Sequence, residues 1–80
     1  MKVRQTGKKY FYFKLEKDDY QKYGYDRCRK FINAMQKEIP AGNRYWIKKA
    51  GLWAIKKENY EIFKRLINQY LTGIQKEIFE

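Results

Sequence analysis

Apolar and polar residues alternate from Lys9 to Glu16. Phe11, Phe13 and Leu15 fall on one side, and Tyr10, Tyr12 and Lys14 on the other. A period of two marks a strand. After Asp26, a suitable N-cap, the period lengthens to that of a helix. Cys28, Phe31, Ile32, Met35 and Ile39 share one face, opposite Arg27, Arg29, Lys30, Asn33, Gln36, Lys37 and Glu38. Pro40 and Gly42 stop this helix. Two more strands follow, from Arg44 to Lys48 and from Leu52 to Lys56. Between them Lys49-Ala50-Gly51 suits a tight hairpin whose glycine takes the left-handed position. A closing helix starts near Glu58. Glu58 and Glu61 lie in its first turn, where the helix dipole favours acids. Its apolar stripe is Phe63, Leu66, Ile67, Tyr70, Leu71 and Ile74, reaching towards Ile78, with Gly73 as a potential break.

Residues 1–8 read as a flexible basic arm, and residues 17–25 as a tyrosine-rich loop. Residues 9–80 then form a single α+β domain of order β-α-β-β-α. The expected architecture is a two-layer sandwich: a three-stranded sheet with both helices on one face. The other face is left uncovered.

Strand parity decides what that open face carries. Phe11, Phe13, Trp53 and Ile55 point to the helices, and Tyr45 and Ile47 are the natural inward pair of the middle strand. Tyr10, Tyr12, Lys14, Arg44, Trp46, Lys48 and Lys56 then point outward. A slip of one residue would exchange Trp46 for Trp53. Tyr45, Trp53 and Tyr60 are assigned to packing.

Charge gives the open face a meaning. The net charge is +10, from 19 basic and 9 acidic residues. Residues 1–40 hold 11 basic and 5 acidic groups (+6) and residues 41–80 hold 8 and 4 (+4), so the whole domain is basic. Such a field concentrates polyanions. Aromatic rings stack on unpaired bases, and lysine and arginine neutralise phosphates. The candidate nucleic-acid contacts are Tyr10, Tyr12 and Trp46 for stacking, and Lys14, Arg44, Lys48, Lys49 and Lys56 for phosphates, supported by Lys2 and Arg4. The expected partner is nucleic acid, DNA ahead of RNA. The rival occupant of the same face is a protein partner or a second copy, which would make the chain a protein-interaction module such as a small phage or plasmid inhibitor or a homodimeric adaptor.

Catalytic chemistry is thinly represented. The chain has no histidine and one cysteine, so a zinc finger within one chain is excluded. Cys28 lies on an apolar stripe and reads as a small core residue. Asp18 and Asp19 sit among lysines. No phosphate loop, Gly-x-Gly-x-x-Gly or nucleophile elbow occurs. No enzyme activity, cofactor or metal is expected. No apolar run approaches the ~18 residues of a membrane span, no signal peptide is expected, and the lone cysteine favours a cytoplasmic location.

One resemblance adds to these readings. Ile39-Pro40 at a helix end, Tyr45 in the next strand, Trp53 after a basic hairpin and Tyr60 at the start of a closing helix stand at matching positions. Through them residues 26 to about 71 resemble the HARP (HepA-related protein) domain of annealing helicases. Trp46 stands where that family often has Asp. The resemblance implies engagement of branched or partly single-stranded DNA; as a stand-alone copy without a motor, the chain is expected to bind DNA or to act as an adaptor. Gly51-Leu52-Trp53 running on to Leu66 is also similar to the positive-cofactor type of single-stranded DNA binder.

Overall fold

A computed structural model describes residues 1–5 and 7–71. Among the described residues the fold is α+β, with three helices and a four-stranded antiparallel sheet. Strands β1 (Lys2–Arg4) and β2 (Tyr10–Lys14) lead into helices α1 (Lys17–Tyr23) and α2 (Tyr25–Glu38). Strands β3 (Arg44–Ile47) and β4 (Leu52–Lys56) form the hairpin, and α3 (Tyr60–Tyr70) follows. Short 3-10 turns at Ala41–Asn43 and Lys57–Asn59 introduce β3 and α3. The expected continuation of the last helix to Ile74 and Ile78 lies outside the described residues.

The strand order is β1-β2-β4-β3. The central pair β2 and β4 supplies Phe11, Phe13 and Ile55 to the core, where they meet Phe31 and Met35 of α2 and Phe63, Leu66 and Ile67 of α3. All eight are essentially inaccessible to solvent. The helices therefore pack on the face that carries Phe11 and Phe13. The positions on the opposite face of the strands stay outside the core.

Two segments depart from the expected order of three strands and two helices. Residues 2–4, expected in a basic arm, form β1, paired with β2 through Lys2↔Lys14, Val3↔Phe13 and Arg4↔Tyr12. Val3 shares the inner face of Phe13, and this single apolar residue packs on the core. The start of the strand is also pinned electrostatically. The Met1 ammonium lies 2.5 Å from Asp19 Oδ1, with both groups nearly inaccessible to water.

Residues 17–23, expected as loop, form α1. A capping box between Glu16 and Asp19 starts it, and the Glu16 N–H donates to Asp19 Oδ2 at 2.7 Å. Its buried positions are Asp19 and Tyr23, one turn apart. Because one of the two is an aspartate, the helix shows no apolar period. Gly24, at φ 93°, turns the chain directly into α2. The N-cap of α2 is thus Gly24, and Asp26 sits inside the first turn rather than capping it.

Cys28 is fully buried, and its Sγ–H donates to the Asp19 carbonyl at 3.7 Å. Burial pushes its thiol above the ordinary range, and the Asp19 charge adds to the shift. It packs as a core residue.

Candidate nucleic-acid interface

Cross-strand pairs lie on the same face of a sheet, so the register assigns every side chain. Phe11 pairs with Ile55, Phe13 with Trp53, and Tyr12 with Ala54. On the other side of β4, Tyr45 pairs with Ala54, Trp46 with Trp53, and Ile47 with Leu52. The open face therefore carries Lys2 and Arg4 from β1, Tyr10, Tyr12 and Lys14 from β2, Leu52, Ala54 and Lys56 from β4, and Tyr45 and Ile47 from β3. No residue in any of the four strands is acidic.

This corrects the expected parity of β3. Tyr45 and Ile47 face out, and Arg44 and Trp46 face the helix side. The reason is the length of the hairpin loop. A three-residue loop, Lys49-Ala50-Gly51, would pair Ile47 with Trp53. The observed loop has four residues, Lys48 to Gly51. The N–H groups of Ala50 and Gly51 both donate to the Ile47 carbonyl, at 3.2 and 2.8 Å. Gly51 does take the left-handed position, at φ 66°. One extra loop residue moves the whole of β3 to the opposite alternation.

The correction changes which aromatic rings come together. Tyr45, previously assigned to packing, is 45% exposed and joins Tyr10 and Tyr12 on the open face. Its ring meets that of Tyr10 edge to face, with centroids 5.8 Å apart. The Tyr45 hydroxyl donates to the Gly42 carbonyl at 2.9 Å. Ala54 lies between Tyr12 and Tyr45 and is only 5% exposed, so its small side chain lets the rings approach across β4. The turn before β2 also lies close to this group. A Cβ at Gly7 would come within 2.9 Å of the Tyr10 carbonyl and 3.5 Å of the Tyr12 ring. Lost hydration pushes the Tyr10 phenol above its ordinary value, and Tyr45 adds to the shift.

Cations border these rings. Lys2 sits opposite Lys14, and Arg4 opposite Tyr12. Lys56 sits opposite Tyr10. Lys2, Arg4, Tyr12, Lys14 and Leu52 line a recess of about 220 Å³, which Glu16 also touches. Glu16 lies just past β2, with its carboxylate 3.8 Å from Lys2 Nζ. Lys48 and Lys49 are exposed in the hairpin loop, at the end of the sheet where β2 finishes.

Arg44 and Trp46 stand apart from this set. The Arg44 guanidinium donates to the Ile39 carbonyl at 2.9 Å and the Gln36 carbonyl at 3.0 Å. It thereby satisfies carbonyls left open at the C-terminal end of α2, where a cation is also favoured by the helix dipole. Arg44→Ala should lower stability by about 1.5–3 kcal/mol, the usual worth of charge-assisted hydrogen bonds. A shifted urea midpoint with unchanged slope checks it. Trp46 lies at the sheet edge, 53% exposed, with its ring 5.3 Å from Trp53 and inclined by 58°. Trp53 and Tyr60 face the helix side and pack against the core, as expected.

The described residues bring no three metal-ligating side chains together. Among them no helix is long and apolar enough to cross a membrane. Comparison with protein-family models, with curated proteins and with solved structures finds no match for this chain.

Proposed function

We propose that this chain is a small non-catalytic cytoplasmic module that binds single-stranded or branched DNA on the open face of its sheet. The observation that carries the proposal is the composition of that face. Three tyrosines lie grouped across β2, β4 and β3, with Lys2, Arg4, Lys14 and Lys56 around them and no acid in the strands. Unpaired bases stack on exposed rings irrespective of sequence, and the phosphates that follow them need cations at the rim. Duplex DNA keeps its bases stacked on one another and offers such rings little. The resemblance of residues 26–71 to the HARP domain, whose members engage branched or partly single-stranded DNA, points the same way.

Tyr12 is the central stacking residue, since it lies between the β1 cations and Ala54. Tyr12→Ala should weaken single-strand binding by about 1–3 kcal/mol and leave the circular dichroism spectrum unchanged. Labelled single-stranded, forked and duplex oligonucleotides, titrated at two salt concentrations, provide the measurement. Micromolar, salt-steep binding that ranks single-stranded and forked above duplex supports the proposal. Weak binding blind to strand structure would instead assign the face to a protein partner or a second copy.

A further inference from the structure

The opposite side of the sheet edge carries a second aromatic site. Trp46 and Trp53 form a V, and with Leu15, Tyr20, Ile32 and Gln36 they line a groove of about 480 Å³ between the β3–β4 hairpin and α1 and α2. That volume falls within the range of small-molecule sites. Apolar surface supplies its walls, and the Gln36 side chain brings an amide with both donor and acceptor. Gly51 completes the wall at the hairpin.

We infer that this groove receives one unpaired base of a strand whose neighbouring nucleotides lie on the open face. The inference rests on the proposed function and adds a discrete base site to it. Continuity with the open face favours this occupant. Lys14 lines the groove and also lines the recess beside Tyr12, so a single cation borders both sites. A strand leaving the tyrosines at the end of β2 passes Lys14 and the exposed Lys48 and Lys49 before it reaches Trp46. Among the described residues no acidic one lines the groove. A base between tryptophan and the Tyr20–Ile32 wall gains stacking, and its edge faces an amide able to hydrogen-bond it. A strand end or a fork junction supplies such a base without cost of unpairing.

The chain has two tryptophans, and both line this groove, while the aromatic residues on the open face are, among the described residues, tyrosines. Tryptophan emission therefore reports the groove alone. Labelled oligothymidylate is titrated into the wild type, with binding followed by anisotropy and groove occupancy by tryptophan emission. Emission should be quenched in step with binding. Trp46→Ala should reduce affinity about 5- to 150-fold, the worth of one base–aromatic stack, with circular dichroism unchanged. Tyr12→Ala should weaken binding yet preserve quenching at saturation. Binding with unaltered emission, and unchanged affinity in Trp46→Ala, would overturn the groove while leaving the open face standing. Self-association abolished by Trp46→Ala, with oligonucleotide affinity unchanged, would assign the groove to a second copy and overturn it as well. No binding of any oligonucleotide would overturn both readings.

Discussion

Phe63→Ala should cost about 3–5 kcal/mol of stability, a large fraction of what a domain this small has. Phe63 is fully buried in α3 and faces β2 directly. Its ring lies 4.9 Å from Phe11, 4.8 Å from Phe13, 5.9 Å from Phe31 and 6.0 Å from Tyr60, centroid to centroid. It is thus the ring where sheet, α2 and α3 meet. Truncation removes the transfer free energy of the ring, leaves a cavity between three elements, and cancels several edge and tilted ring contacts at once. A domain of this length has roughly 4–12 kcal/mol in total, so the loss approaches the whole at the lower end. Thermal unfolding followed by circular dichroism should show a midpoint lower by about 12–40 °C, at 4–8 °C per kcal/mol for a domain this small. Phe63→Leu, which retains most of the apolar volume, should keep the chain folded and serve as the reference. An unchanged midpoint in Phe63→Ala would show that the core is not organised around this ring.

The elements with a large apolar surface were legible in the sequence. Phe11 and Phe13 alternate with polar neighbours, and the stripes of α2 and α3 repeat at helical spacing, because each must bury a face several residues long. The elements held by one or two buried groups were not. Strand β1 has Val3 as its one inward residue, and its place depends on pairing with β2, which no local pattern records. Helix α1 buries an aspartate, whose partners are a backbone N–H and the chain's own ammonium. A buried charge reads as a surface residue until its partner is known.

The candidate site was legible in kind and wrong in part for one physical reason. Side chains alternate with a period of two, so a hairpin loop longer by one residue inverts the parity of the strand beyond it. Strand β4 was read correctly because Trp53 and Ile55 continue the inner face of Phe13 and Phe11. Strand β3 inherited its parity through the loop, and there the reading failed. Tyr10, Tyr12, Lys14 and Lys56 kept their places, Tyr45 entered, and Arg44 and Trp46 left for the other side. The usable signal was the pair Ile47 and Leu52. With Leu52 facing out and Gly51 closing a four-residue turn, Ile47 must also face out. Edge position explains why the apolar side chain of Ile47 could end there: β3 is an edge strand with no buried residue, so neither of its faces is fully covered.

The strongest test of the open face is electrostatic. Replacing Lys2, Arg4, Lys14 and Lys56 together by glutamine lowers the net charge from +10 to +6. If these four groups neutralise four phosphates, the slope of log affinity against log salt should become shallower by about 2.8, at 0.7 per single-strand phosphate. In the wild type the same four contacts weaken binding about 50-fold when salt rises from about 50 to about 200 mM. Removing them outright should therefore cost more than that factor at the lower salt. Net charge alone predicts the same loss for any four lysines. The control is a second quadruple variant at Lys22, Lys30, Lys37 and Lys64, all on the helices and also leaving +6. It should bind within a few-fold of wild type and keep the wild-type slope, because screening confines each charge to its own surface within roughly 10 Å. Equal losses in the two variants would mean that the polyanion responds to the overall field, and that the tyrosine face has no privileged claim on it. A large loss only in the sheet variant, combined with the Tyr12→Ala deficit, would tie phosphate neutralisation and base stacking to one surface.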